Sequence, residues 1–202
     1  MINLHGKTLA GLIGKAFVVW LLISLSGFFW GERLITTLFP FYEQVIEAAS
    51  EDYQADLSLR SGVESRIVLA ATPLKAKVIT AGRSLPAGHT IESKVTALHA
   101  LETLVILLTI IFSWPLENTR QLAYLCLLAI PSVLAVSALT VPLQLLGTLE
   151  MGFQNAAHAA GYARAEPWVL QWMLLTEGGG RWLIGALVGI SCGTLATRLS
   201  QR

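Results

Sequence analysis

The chain reads as an α-helical integral membrane protein with four transmembrane helices and a small α+β extracytoplasmic domain between the first and second spans. Three observations predict this class. Hydrophobic residues make up 54% of the 202 residues and charged residues only 13%, with a mean hydropathy of +0.62. Four strongly apolar stretches, roughly 12–31, 98–116, 122–149 and 180–197, alternate with polar segments, and a helical span needs ~20 mostly apolar residues. The longest polar segment, 32–97, changes its periodicity internally from helical to alternating. The expected layout is a cytoplasmic N-terminus and first span over 1–31 and an outer helix with short strands over 32–97. A three-helix membrane region over 98–202 follows, with an interfacial outer loop at 150–177.

The first span follows Lys7 and Lys15 and continues past the small pair Ser24–Ser26 into Phe28, Phe29 and Trp30. That prolonged apolar run predicts an uncleaved signal anchor. Orientation follows the bias of Lys and Arg near span ends. An N-in, C-in arrangement leaves Lys7, Lys15, Arg120, Arg198 and Arg202 in the cytoplasm against Glu117. The 150–177 loop carries Arg164 against Glu150, Glu166 and Glu177, and the 32–97 segment is nearly balanced, with seven basic and eight acidic residues. The expected location is a bacterial inner membrane with 32–97 and 150–177 extracytoplasmic. Trp30, Trp114 and Trp182 fall at span ends, where an apolar ring with one polar edge is favoured. Lys15 lies just inside the first span and can snorkel to the headgroups.

Residues 41–54 predict an amphipathic helix, with Phe41, Tyr42, Val45, Ile46, Ala49 and Tyr53 at helical spacing and Pro40 in its first turn. Glu43, Glu47 and Glu51 form a second stripe, read either as a solvated face or as a contact surface for a basic partner. From Ala55 the pattern alternates. Leu57 and Leu59, the run Arg66–Ala71, the run Ala76–Thr80 ended by Gly82, and Thr90–Thr96 predict three or four short antiparallel strands. Leu85-Pro86-Ala87-Gly88 is a turn signal. Within Val78–Ile91, through Ala81, Gly82 and Arg83, the chain resembles the strand–turn–strand of SAF-type modules in pilus and flagellar assembly proteins. That likeness covers about twenty residues, rests mainly on Leu-Pro-Ala-Gly, and implies only a local hairpin.

The third stretch contains Pro131 and Pro142, which predict a bent helix able to extend beyond the membrane. The 151–177 segment holds a helix-compatible piece, Gln154–Arg164, and then Trp168–Leu175. The second piece is too short to cross and fits either an interfacial helix or packing beneath the outer domain. In the fourth span, Gly185, Gly189 and Gly193 recur every fourth residue. They predict a helix-docking face, taken up either by this chain or by another subunit.

Polar groups in or near the bilayer are the default place to look for function. His99 and Glu102 share a face of the second span. With Gln144, Glu150 and Arg181 they are expected to form a cluster at the outer membrane edge. A Glu102–Arg181 pair that orients helices, a lipid-headgroup or partner site, and catalysis or ion transfer are the three readings of it. Gly178, Gly179 and Gly180 predict either a sharp turn into the membrane or an anion-binding turn of exposed N–H groups beside Arg181.

No catalytic residue, cofactor or metal site is expected. His-Glu-x-x-His is absent, no span contains Asp, and a His-x-x-Glu pair, even with His158, leaves the ligand set of a zinc site short. Cys126 and Cys192 sit mid-span without a His at matching depth and read as small apolar core residues. A net charge of +1 without a basic patch argues against nucleic acid. The expected partners are membrane lipids and another integral membrane protein or a second copy of this chain. The expected function is a non-catalytic accessory, assembly or scaffold subunit of a membrane-embedded complex. Lipid handling at the Glu102 and Arg181 cluster is the alternative, and a membrane enzyme of protein sorting or processing is the third reading. The general layout is similar to that of exosortase-associated small membrane proteins.

Overall fold

A computed structural model describes residues 6–62, 65–80 and 83–201. Ala81, Gly82 and Arg202, named above, lie outside the described residues, as do the side chains of Lys7, Thr80 and Arg83. The chain is mostly helical, 71%, with a small sheet region. In order it forms α1 (Gly6–Ala49), β1 (Tyr53–Arg60), β2 (Arg66–Pro73), β3 (Lys77–Thr80) and β4 (Arg83–Leu85). Then come β5 (Ile91–Thr96), α2 (Ala97–Ser113), α3 (Thr119–Ala159), α4 (Trp168–Leu175), a π-helical turn (Thr176–Gly180) and α5 (Arg181–Ser200).

Among the described residues, three helical stretches are long and apolar enough to cross a membrane: Leu9–Ala49, Thr119–Ala159 and Trp168–Ser200. The last of these takes in α4, the π turn and α5. The stretch expected as the second span is the 17-residue α2, roughly 26 Å long at 1.5 Å per residue and so a little short of a ~30 Å hydrocarbon core.

The first span and the amphipathic outer helix are one element. Pro40 lies inside α1 rather than in the first turn of a separate helix. The chain supplies no other breaker between Gly31 and Ala49. Ile35, Tyr42 and Ile46, at spacings of seven and four, give that half of α1 a continuous buried stripe. The helix ends five residues before the expected boundary at residue 54, because Tyr53 already belongs to β1 and is buried there. Likewise α3 runs through Pro131 and Pro142 to Ala159, so 150–159 is helix rather than loop. Its end is closed by a Schellman pattern: Gly161, with φ +77, donates to His158 O at 2.9 Å, and Tyr162 N to Ala157 O at 3.0 Å.

The chain divides into two compact units, and the divisions at Gly31/Glu32 and Val136/Ser137 fall inside α1 and α3. One unit comprises residues 1–31, 101–136 and 182–202. Its core is built by Leu104, Leu107 and Ile111 of α2, Leu125 and Val136 of α3, and Cys192 and Ala196 of α5. The glycine ridge of α5 faces α2. A Cβ on Gly185 would stand 2.9 Å from Thr103 O, one on Gly189 3.0 Å from Ile110 Cβ, and one on Gly193 would meet the Trp114 indole. The helix-docking face thus has α2 of the same chain as its occupant. At one end of this unit, Gln121 Nε2 donates to Thr197 Oγ1 at 2.9 Å, Trp114 Nε1 donates to the same oxygen at 3.2 Å, and Asn118 Oδ1 caps α3 by accepting from Gln121 N at 2.7 Å. Lys15 Nζ reaches Trp114 O at 3.2 Å, placing a cation against the C-terminal end of α2. Cys192 is a core residue as expected, whereas Cys126 is exposed on α3, among Leu122, Leu127 and Ile130 that are exposed too.

The second unit comprises residues 32–100 and 137–181. β1, β2 and β5 form an antiparallel sheet in the order β1-β2-β5, with Leu57 opposite Leu69 and Ile67 opposite Val95. β3 and β4 form a separate two-stranded ribbon. The Leu85–Gly88 segment turns, with Gly88 at φ +78, but it joins β4 to β5. These strands belong to different sheets, so the SAF-like strand–turn–strand is not a paired hairpin.

The stripe of α1 read as a solvated or partner-binding face has another use. Glu43 Oε1 accepts from Leu57 N at 2.9 Å and Glu47 Oε1 from Ala55 N at 3.3 Å. Four residues of helix advance about 6 Å and two residues of strand about 6.7 Å. Two carboxylates one turn apart therefore meet successive outward N–H groups of the β1 edge, which would otherwise invite pairing. Ser93 of β5 donates to Leu145 O of α3 at 2.8 Å.

Candidate functional site

The polar residues singled out in the sequence fall into two groups around α3. Arg164 in the loop after α3 pairs with Glu150 at 3.0 Å and lies over the Phe153 ring, 5.2 Å from its centroid. Gln154 Nε2 donates to Ala165 O at 2.8 Å. These contacts fasten the loop to the helix.

The second group gathers at the π turn between α4 and α5. α4 is seated on α3 because Gly147 leaves no room for a side chain: a Cβ there would lie 2.8 Å from Val169 O and collide with Met173. Val169, Leu170 and Met173 are buried in this contact, and Trp172 Nε1 donates to Leu139 O at 2.6 Å. Trp168 remains exposed. The chain then kinks between α4 and α5. Gly179 adopts φ +104, and a Cβ on Gly180 would stand 2.6 Å from Leu175 O. At both positions only glycine fits without strain. The N–H of Arg181 bonds Thr176 O across a kink at Gly179, so the Gly178–Gly180 run forms a turn between α4 and α5.

Glu177 is the centre of this group. Arg181 Nη2 donates to Glu177 Oε2 at 2.8 Å, Gln144 Nε2 donates to Glu177 Oε1, and His99 Nδ1 lies 3.7 Å from Oε1 and 3.4 Å from Gln144 Nε2. Arg181 Nε also donates to Thr176 O at 3.3 Å. His99, Gln144 and Arg181 are thus brought together by a carboxylate counted in the sequence only as a loop charge. Its signal was present in the spacing: Glu177 and Arg181 are four residues apart, the spacing of a helical ion pair, although a kink at Gly179 lies between them. Glu102 lies three residues beyond His99 on α2, and Glu150 pairs with Arg164.

A separate exposed cluster lies on the sheet. Arg60 and then Lys94, both bonded to Glu92, hold its carboxyl below the usual carboxylate range. Among the described residues, no group of three or more His, Cys, Asp or Glu side chains is gathered as a metal ion would need. Gly189-Ile190-Ser191-Cys192-Gly193 has the spacing of a nucleophile elbow, but that chemistry needs a strand-to-helix turn. Here the five residues lie inside α5.

These features define a mostly helical protein with a small sheet and, among the described residues, three helical stretches long and apolar enough to cross a membrane, compatible with an integral membrane protein. Comparison with protein-family models, curated proteins and solved structures finds no match.

Proposed function

We propose that the chain is a non-catalytic accessory or scaffold subunit of a membrane-embedded complex, and that α1 is the surface it offers to its partner. The observation that carries this reading is the exposure of α1. No residue from Leu9 to Trp30 is buried, whereas α3 and α5 bury part of their apolar stretches. Phe28 is 84% exposed and packs edge-on against Phe29, which in turn neighbours Trp30. Gly11, Gly14 and Gly27 face open space, where another backbone can approach closely. Because α2 already occupies the α5 ridge, α1 is the better docking face for a second integral membrane protein or another copy of this chain.

The test is affinity purification from native membranes in mild detergent. A stoichiometric partner should be retained by the wild type and lost in Phe28→Ser/Phe29→Ser, with membrane insertion unchanged. Retention of every co-purifying protein by the double variant would reject the reading.

Within it we place α2 as a fourth, shorter span, with both termini cytoplasmic and 32–97 outside. The packing of α2 on the α5 ridge and the Lys15 contact to its C-terminal end support this arrangement. In a chain freed of Cys126 and Cys192, an impermeant thiol reagent applied to spheroplasts should label Lys75→Cys and spare Asn118→Cys. Equal labelling of both would overturn the four-span arrangement.

A further inference from the structure

We propose that α4 is a shallow membrane anchor, with one face seated on α3 and the other in lipid at the boundary between headgroups and acyl chains. The eight residues of α4, Trp-Val-Leu-Gln-Trp-Met-Leu-Leu, include no charged side chain. At about 100° per residue, Val169, Leu170 and Met173 share one arc of the helix, and these are its buried residues. Trp168, Gln171, Leu174 and Leu175 share the opposite arc. Its three apolar members, Trp168, Leu174 and Leu175, are 56%, 54% and 57% exposed. A helix beside water turns charged and polar residues outward, whereas one that is apolar all round is covered all round. α3 covers one side of α4, and an apolar medium must cover the other.

Two observations make lipid the cover. α4 belongs to the continuous stretch Trp168–Ser200, long and apolar enough to cross a membrane, so its outer face extends a membrane-compatible surface. The helix is also bracketed by acids: Glu166 is exposed just before it, and Glu177, 42% exposed, follows it. Carboxylates are costly in hydrocarbon and stay with water or headgroups. With an acid at each end and roughly 12 Å of apolar helix between them, α4 lies along the interface and does not plunge through it. Trp168 and Trp172, one turn apart, are the ring type that this depth favours. The Trp172 indole N–H is already spent on Leu139 O, so lipid over that ring leaves no donor unpaired. The anchor also fixes a depth on α3. Because α4 is seated at Gly147, the bilayer surface lies at that level, and the helix from Thr148 to Ala159 stands beyond it, by about 18 Å at 1.5 Å per residue. None of this depends on α1 having a protein partner.

The test is collisional accessibility in vesicles of phosphatidylcholine and phosphatidylglycerol. The full-length chain, with Cys126 and Cys192 replaced, would carry a nitroxide at Leu174→Cys, at Leu175→Cys or, as the aqueous reference, at exposed Lys75→Cys. Oxygen concentrates among acyl chains and a polar nickel chelate stays in water. The ratio of oxygen to nickel relaxation should therefore be several-fold higher at 174 and 175 than at 75. A ratio equal to that at 75 would place the face in water. Exclusion of both reagents would place another protein, or a second copy of this chain, over it. Either result overturns the proposal. A second measurement keeps both cysteines in case their removal disturbs folding. The emission difference between wild type and Trp168→Phe, which isolates Trp168, should be quenched by lipids brominated in the upper acyl chain. An unquenched difference would overturn the proposal as well.

Discussion

Gly193→Val is expected to melt well below the wild type. A Cβ at this position falls within the Trp114 indole, and the ring cannot retreat without giving up its bond to Thr197 Oγ1. Overpacking a well-filled contact costs typically 1–3 kcal/mol; here the obstacle is a rigid ring already held at its far edge, which points to ~3 kcal/mol. Cys192, buried beside the substituted residue, is a natural reporter. With exposed Cys126 replaced by serine, a thiol-reactive fluorophore should label the variant at a lower temperature than the wild type. Gly11→Val, at a position facing open space, is the control and should melt as the wild type does. Coincident melting of Gly193→Val and wild type would mean that α2 does not fill the α5 ridge.

The other large effect is expected from Tyr42→Ala. Tyr42 is the largest fully buried side chain among the described residues, on the half of α1 that shares a unit with the sheet. Truncating a buried aromatic ring costs about 3–5 kcal/mol, part of it for the cavity left behind. Tyr42→Phe keeps the volume and should cost much less. Hydrogen exchange separates the two. In Tyr42→Ala the amides of β1 and β2 should exchange faster by the factor that the lost free energy dictates, and in Tyr42→Phe they should stay close to wild type. Equal protection in both would show that the ring does not support the sheet.

The long apolar helices and the strands were legible because each rests on a repeating pattern. Leu57 and Leu59 alternate with polar neighbours, Arg66–Ala71 is a short apolar run and Thr90–Thr96 alternates again, and the structure has β1, β2 and β5 there. What escaped the sequence depends on continuity and on three-dimensional neighbours. Pro40 resembles a helix start, since an interior proline costs one hydrogen bond and crowds the carbonyl of the preceding turn, but burial of Ile35, Tyr42 and Ile46 outweighs that cost. The glycine run at 178–180 resembles a break, and the structure has a kink there with Gly179 at φ +104. His99, Gln144 and Arg181 could be selected as polar residues in apolar surroundings. That Glu177 unites them depends on the geometry of that kink, for which local sequence has no simple signature.

The pairing of Glu43 and Glu47 with the edge of β1 carries a consequence for how the sheet is assembled. In a strand, alternate N–H groups face opposite sides. If β1 slid by a single residue, both carboxylates would lose their donors together, and Leu57 would exchange its inward place with a neighbour. No intermediate offset satisfies one carboxylate while sparing the other. The helix therefore measures the strand laid beside it, as notches on a rule admit a sliding scale only at whole divisions. Because α1 precedes β1 in the chain, that rule can exist before the strand it measures.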